Sequence, residues 1–231
     1  METLEAYQEG KVLLIDKPLN WTSFQVVNKI RWLIKQQFGI KKIKVGHAGT
    51  LDPLATGLLI LCTGKLTKKI ETYQAQVKEY TGTITLGTTT PSYDLETEVD
   101  QTFDISGITE EDIIQNTKHF IGEIQQQPPI FSALKKDGKR LYEYAREGEK
   151  VEIPKRTITV SEFEITKIDV PNIEFRAVCS KGTYIRSLAH DFGKSLNNGA
   201  HLSALRRTKI GGFSVEDAVG VLAFEEAFKA I

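Results

Sequence analysis

Residues 156–179, RTITVSEFEITKIDVPNIEFRAVC, read as two strands, 156–170 and 173–179, joined near Pro171-Asn172. Strands this close, with no helix between them, pair with each other in antiparallel fashion. Upstream, residues 77–86 (VKEYTGTITL) alternate. Tyr80, Ile84 and Leu86 fall on one face, and Glu79, Thr81, Thr83 and Thr85 on the other. Tyr80 therefore points inward, toward a core or a cleft. Residues 58–63 form a further buried strand and residues 11–15 a short one. Strands pair locally and helices interrupt them irregularly. That order predicts an α+β fold, with a mixed, mainly antiparallel sheet and flanking helices, over a doubly wound one.

Helix signals fill the gaps. Thr22 offers an N-cap with Gln25 as its capping-box partner. Phe24, Val27, Ile30 and Ile34 recur at helical spacing, and Gly39 is a stop. Thr109 caps a helix over 109–120, with Asp112 in its first turn. Thr183 caps another, carrying Ile185, Leu188, Ala189, Phe192 and Leu196, and Ser214 with Asp217 caps a last one. Residues 45–57 (VGHAGTLDPLATG) are Gly-, Thr- and Pro-rich and read as a loop. Residues 125–156 form an extended excursion opened by Pro128-Pro129, with a short helix around 141–147. With no repeat and no linker, 1–231 reads as a single domain.

The 231 residues are 40% hydrophobic and 26% charged, an ordinary globular profile. The longest unbroken aliphatic run is 58–62, far short of a membrane span. An acidic N-terminus (Met1, Glu2, Glu5) without an adjoining apolar segment argues against a signal peptide and for the cytoplasm. Two cysteines, Cys62 and Cys179, exclude a disulfide framework. The four histidines have no metal-ligand spacing, and no phosphate-loop motif or nucleophile elbow is present.

Net charge is zero, but its distribution is uneven. Residues 30–70 hold eight Lys/Arg and one acid, Asp52, a net of +7. Residues 92–114 hold eight acids and no base. Such asymmetry builds either a nucleic-acid face on a neutral protein or two solvated surfaces. Asp52, ringed by cations in a Gly/Pro-punctuated loop, stays ionised and available as a nucleophile or base; alternatively it caps a turn before Pro53. Arg186 sits near a helix N-terminus, where the dipole disfavours a cation. A buried acid partner, or a snorkelling surface position, accounts for it. His47, Tyr80 and Tyr184 either pack in a core or line a flipped-base pocket.

The stretch VGHAGTLDPLATGLL resembles the catalytic loop of the TruB family of tRNA pseudouridine synthases. So do five further ordered blocks: Lys17-Pro18 with Trp21-Thr22-Ser23; Lys78-Glu79-Tyr80 with Leu86-Gly87; Gln127-Pro128-Pro129 through Tyr142-Glu143 and Ala145-Arg146; Ser180 to Arg186; and Gly199-Ala200-His201 with Leu205-Arg206-Arg207. The resemblance covers nearly the whole chain. It implies the pseudouridine-synthase fold with a central RNA-binding cleft, and isomerisation of uridine 55 in the tRNA T-loop without cofactor or metal. It implies that Asp52 is the catalytic aspartate, that Arg186 pairs with it, and that Tyr80 lies against the flipped base and helps remove the C5 proton. His47 would hold the flipped T-loop, and Tyr184 and Leu205 would line the base pocket. Lys41, Lys42, Lys44, Lys65, Lys135, Lys136 and Arg140 would meet RNA backbone, the last three from an RNA-gripping insertion at about 125–156.

The sequence departs from the family pattern in two places. Asn20 stands where the family usually has Gly, which leaves that turn's geometry open. The chain also ends soon after Phe213–Asp217, without room for the C-terminal RNA-binding PUA domain of many relatives. The expectation is therefore a monomer that binds the tRNA T-arm through its catalytic domain alone, with no membrane and no obligate protein partner. The competing readings are a tRNA-folding chaperone without catalysis, or a synthase acting on another RNA stem-loop.

Overall fold

The computed structural model describes residues 3–149 and 151–229. Met1 and Glu2 of the acidic N-terminus, Lys150 of the excursion, and the last two residues lie outside the described residues. The chain forms two compact units, one of residues 1–80 with 205–231, the other of residues 81–204. It passes from one to the other inside two strands, Lys78–Leu86 and Ala200–Ile210, rather than through linkers.

In the first unit the Ala55–Thr63 strand is central. Val12–Lys17 pairs with it antiparallel, from Val12 opposite Cys62 to Lys17 opposite Gly57. Val45–His47 also pairs with it antiparallel, and residues 205–207 of the Ala200–Ile210 strand pair with it in parallel. Val219–Gly220 lies parallel to the other edge of Val12–Lys17. Alternation sorts the run LLILC into two cores. Leu59 and Leu61 join Ile15, the Ser23–Gln37 helix (Val26, Val27, Ile30, Leu33, Ile34) and the Val221–Lys229 helix (Val221, Phe224, Phe228). Leu58, Ile60 and Cys62 join Ala48, Ile210 and Val215. Both faces are covered, so the strand reads as continuously apolar rather than alternating.

In the second unit Arg156–Asp169 pairs antiparallel with Asn172–Cys179 and with Gly122–Gln126. Lys78–Leu86 lies on the far side of Asn172–Cys179. Phe120, Phe163, Phe175 and the Ile185–Ser195 helix residue Phe192 meet at centroid distances of 5.6–6.1 Å, mostly edge to face, the arrangement favoured by their quadrupoles. The architecture is thus α+β, mainly antiparallel, with flanking helices. Among the described residues no helix is long and apolar enough to cross a membrane.

Several local expectations are corrected. Phe24 is exposed, and Val26 and Leu33 take the inward positions beside Val27. The 45–57 loop shrinks to 48–54, because Val45–His47 forms a strand on one side and residues 55–57 begin the Ala55–Thr63 strand on the other. The helix after Thr109 ends at Asn116 and tightens to a 3₁₀ turn over Thr117–Phe120. Thr183 caps nothing: its hydroxyl donates to the carbonyl of Ser180, and Tyr184 is the residue at the N-cap. Ser214 caps a 3₁₀ turn over Val215–Asp217, ahead of the last helix. The excursion holds a two-stranded ribbon, Lys135–Lys136 with Lys139–Arg140. Its turn, Asp137-Gly138, has φ of 52° and 84°, the pair of positive values a type I′ hairpin needs.

Candidate active site

Within the first unit, the 48–54 loop that carries Asp52 is held at several points. Ser23 Oγ donates to Leu51 O at 3.0 Å and accepts from Leu51 N at 2.8 Å. The N–H of Asn20 donates to Pro53 O at 2.8 Å, and that of Ala55 to Asp52 O at 3.1 Å. Asn20 adopts φ 63°, the left-handed conformation that glycine takes freely and asparagine tolerates. Asparagine here thus keeps a turn available to it and to glycine alike.

Two buried cations lie beneath this loop. Lys17, fully buried at the end of the first strand, donates from Nζ to the carbonyls of Pro18 (2.9 Å), Trp21 (2.6 Å) and Pro53 (3.4 Å). Its pKa is pushed down to about 8, chiefly by burial and further by Arg207, while the Asp52 carboxylate pulls it up. Arg207, equally buried, donates from Nε to Leu58 O at 2.8 Å and from Nη2 to Gly49 O at 3.0 Å. Gly57 lets the backbone of Arg207 pack close against its own strand. Its φ is 103°, and a Cβ there would lie 2.3 Å from the Arg207 carbonyl oxygen. Asp52 itself is half-buried. The arrangement sets a half-buried carboxylate in a loop backed by fixed positive charge.

The other expected residues of this unit lie on its strands and around one groove. His47 is half-buried on the Val45–His47 strand. Its pKa is lowered by burial first and by Arg207 second, with the Gly49 backbone opposing, so the ring is neutral at neutral pH. Leu205 stands in register with Ala55, three residues after Asp52. Tyr80 is buried on the inward face of its strand, 8% exposed. Lys41, Lys42, Lys44 and Lys65 come together with Arg31, Lys35 and Lys68 around a groove of about 660 Å³.

In the second unit, Arg186 is the second residue of its helix and is buried. Its Nε lies 3.5 Å from Asp94 Oδ2, and its Nη1 donates to Ser92 O (3.2 Å) and Phe131 O (3.0 Å). Asp94 is buried too, although it lies in the acidic stretch whose bland reading was a solvated surface. Tyr184 is fixed by the buried amide of Gln126, which accepts from its N–H at 2.8 Å and donates to its carbonyl at 3.0 Å. Lys135 and Arg140 are exposed and opposite each other on the ribbon. Lys136 is half-buried and donates to Glu152 O. Residue-by-residue reading did not single out Lys17, Asp94, Gln126 and Arg207, all of them buried. Lys17 and Arg207 stand in the quoted motifs, but nothing local marks either as a buried cation.

Residues 35–185 match the TruB family pseudouridylate synthase N-terminal domain, and residues 186–230 the tRNA pseudouridylate synthase B C-terminal domain. The fold is therefore that of a pseudouridylate synthase, an isomerase. The chain belongs to the TruB family. It is 63% identical over 228 residues to tRNA pseudouridine synthase B of Flavobacterium johnsoniae, covering 98% of this chain and 100% of that one. It is 56% identical over 220 residues to the protein of the same name from Phocaeicola vulgatus, covering 95% and 94%. Among solved structures, a Cbf5-Nop10-Gar1 complex contains a chain 33% identical with a TM-score of 0.71, covering 95% of this chain and 54% of that one. An H/ACA RNP bound to a substrate RNA containing 2′-deoxyuridine contains one 30% identical with a TM-score of 0.68, covering 95% and 53%. The chain thus spans about half the length of these structural relatives.

Proposed function

We propose that this enzyme converts uridine to pseudouridine in tRNA, at position 55 of the T-loop, with Asp52 as its catalytic group. The carrying observation is the near-full-length identity to proteins named tRNA pseudouridine synthase B, in a chain that holds one acid within a basic stretch and seats it over Lys17 and Arg207. The chemistry is an isomerisation. The N1–C1′ bond of the nucleoside breaks, a C5–C1′ bond forms, and the C5 proton is replaced by one on N1. Atoms balance without oxidant, reductant or co-substrate. Asp52 acts at the ribose, by glycal formation or attack at C1′, or else adds to C6 of the base; Tyr80 assists removal of the C5 proton. Arg186 serves the same site, while His47, Tyr184 and Leu205 hold the everted loop and base.

The target carbon is shielded in a stacked loop, so the base must be extruded at a cost of a few kcal/mol. Phosphate contacts from the basic groove and the 135–140 ribbon offset that cost. We read the enzyme as a cytoplasmic monomer that needs no protein partner; sedimentation as a dimer would overturn the oligomeric part. The main test is conversion of an unmodified tRNA transcript. Wild type forms pseudouridine at the T-loop position, and Asp52→Asn reduces the rate by at least ~10³-fold with tRNA affinity retained. Turnover retained by Asp52→Asn refutes the catalytic assignment. Assisted tRNA folding by a wild-type protein that never forms product favours the chaperone reading. Product only in another RNA stem-loop relocates the substrate.

A further inference from the structure

Among the described residues, four other than glycine have positive φ: Asn20, Tyr93, Asp137 and Asn197. Three are Asn or Asp, whose short polar side chains tolerate the left-handed region. Tyr93, at φ 64°, is a bulky aromatic there, and such an outlier persists only where its surroundings over-determine it. The neighbours on either side of it are the two that hold Arg186: Ser92 through its carbonyl and Asp94 through its carboxylate.

What fixes Tyr93 is visible. Its N–H donates to Thr90 O at 3.1 Å, and its carbonyl accepts from Leu202 N at 2.9 Å. Its ring lies flat on the imidazole of His190, with centroids 3.9 Å apart and planes 12° from parallel. His190 is one helical turn beyond Arg186, so the two side chains leave the same helix face. The His190 ring does no polar work among the described residues: its Nδ1 is buried without a hydrogen-bond partner. Burial foremost, with Lys194, pushes its pKa down to about 4 against the pull of Asp100, so the stack is a neutral one at physiological pH.

We infer that the Tyr93–His190 stack is a positioning device for Arg186, pinning the kinked Ser92–Asp94 segment so that both of its acceptors face the guanidinium. The inference rests on the proposed role of Arg186 in pseudouridine formation. Tyr93 and His190 are thereby positioning residues, not catalytic ones.

The test uses the full chain labelled with ¹⁵N-arginine, with the Arg186 Nε–H signal identified by its loss in Arg186→Lys. Conversion rate and tRNA affinity are measured alongside. Tyr93→Phe and His190→Phe keep the stack, so the signal stays protected and the rate stays within about threefold of wild type. Tyr93→Ala, Tyr93→Gly and His190→Ala lose the protected signal, and conversion slows at least tenfold while tRNA affinity changes less than twofold. Glycine is the decisive variant, because it accepts φ 64° freely but has no ring. If Tyr93→Gly or His190→Ala keeps a wild-type signal, the inference is overturned. If Arg186→Lys abolishes conversion and Tyr93→Ala does not, the inference falls and the functional reading stands. If wild type forms no pseudouridine but the signal responds as expected, the functional reading falls and the positioning role stands.

Discussion

Asn20, at φ 63°, donates its backbone N–H to the carbonyl of Pro53 at 2.8 Å, tying the turn after the first strand to the residue that follows Asp52. A left-handed turn thus supports the loop of the proposed catalytic residue. Asn20→Gly keeps that turn and leaves the melting temperature within a degree or two of wild type. Asn20→Ala keeps the Cβ in the left-handed region but loses the short polar side chain that makes it tolerable, and costs about 1–2 kcal/mol. At this chain length that is a fall of roughly 2–8 °C, read by calorimetry.

Lys17 gives the fold a signed pH dependence. An unfolded lysine titrates near 10.5, whereas in the folded chain burial first pushes Lys17 down to about 8, opposed by the Asp52 carboxylate and assisted by Arg207. Between those values the unfolded chain holds the proton and the folded chain has released it, so the contribution of Lys17 to stability rises with pH. Cys62 contributes with the opposite sign between 9.0 and about 11, since burial raises its thiol. The difference between wild type and Lys17→Met isolates the lysine. Denaturant midpoints measured from pH 7 to 11 show wild type gaining on the variant above about pH 8. Below that pH the variant remains folded but is weaker by about 1–3 kcal/mol, because three carbonyls lose their donor.

What the sequence discloses about this protein is what is decided within a few residues. The Thr22–Gln25 capping box forms as its spacing predicts, and Thr109 caps its helix as expected, with Asp112 of the first turn closing a second box, because the partners lie within one turn. The alternation of 77–86 correctly buries Tyr80, Ile84 and Leu86. Phe24 fits the helical period equally well on paper. Its exposure shows that periodicity fixes a stripe, while tertiary packing selects which edge of the stripe is covered. Asp94 was opaque for a different reason. Its partner Arg186 is 92 positions away, and a buried acid inside an acidic run looks like its solvated neighbours. The Ala200–Ile210 strand was missed because Arg206 and Arg207 break its apolar pattern. One forms a bidentate pair with Asp16 and the other is buried against backbone carbonyls, contacts that only the fold supplies.

The Arg186–Asp94 pair is buried on both sides, so removing one partner strands the other charge away from water. Asp94→Ala is expected to cost about 3–5 kcal/mol, and Asp94→Asn less, because an amide oxygen still accepts from the guanidinium. The double variant Asp94→Leu with Arg186→Met removes both charges and recovers much of the loss. Urea midpoints of wild type, Asp94→Leu, Arg186→Met and the double variant provide the check. A double variant as weak as the sum of the singles removes the case for coupling between these residues.

The seven cations around the groove in the first unit are expected to make RNA affinity steeply dependent on salt. Each phosphate they neutralise releases condensed counterion, so the slope of log affinity against log salt counts contacts, at about 0.7–0.9 per phosphate. Lys41 and Lys44 are exposed, and none of the contacts that hold the two apolar cores runs through them. Lys41→Ala with Lys44→Ala should therefore leave the melting temperature unchanged while flattening that slope by about 1–2. The weakening should be the same for a T-arm stem-loop whose target base is changed, because phosphate contacts carry no base identity. Filter binding from 50 to 300 mM salt reads both effects. An unchanged slope would place the RNA elsewhere on the protein and remove this groove from the proposed interface.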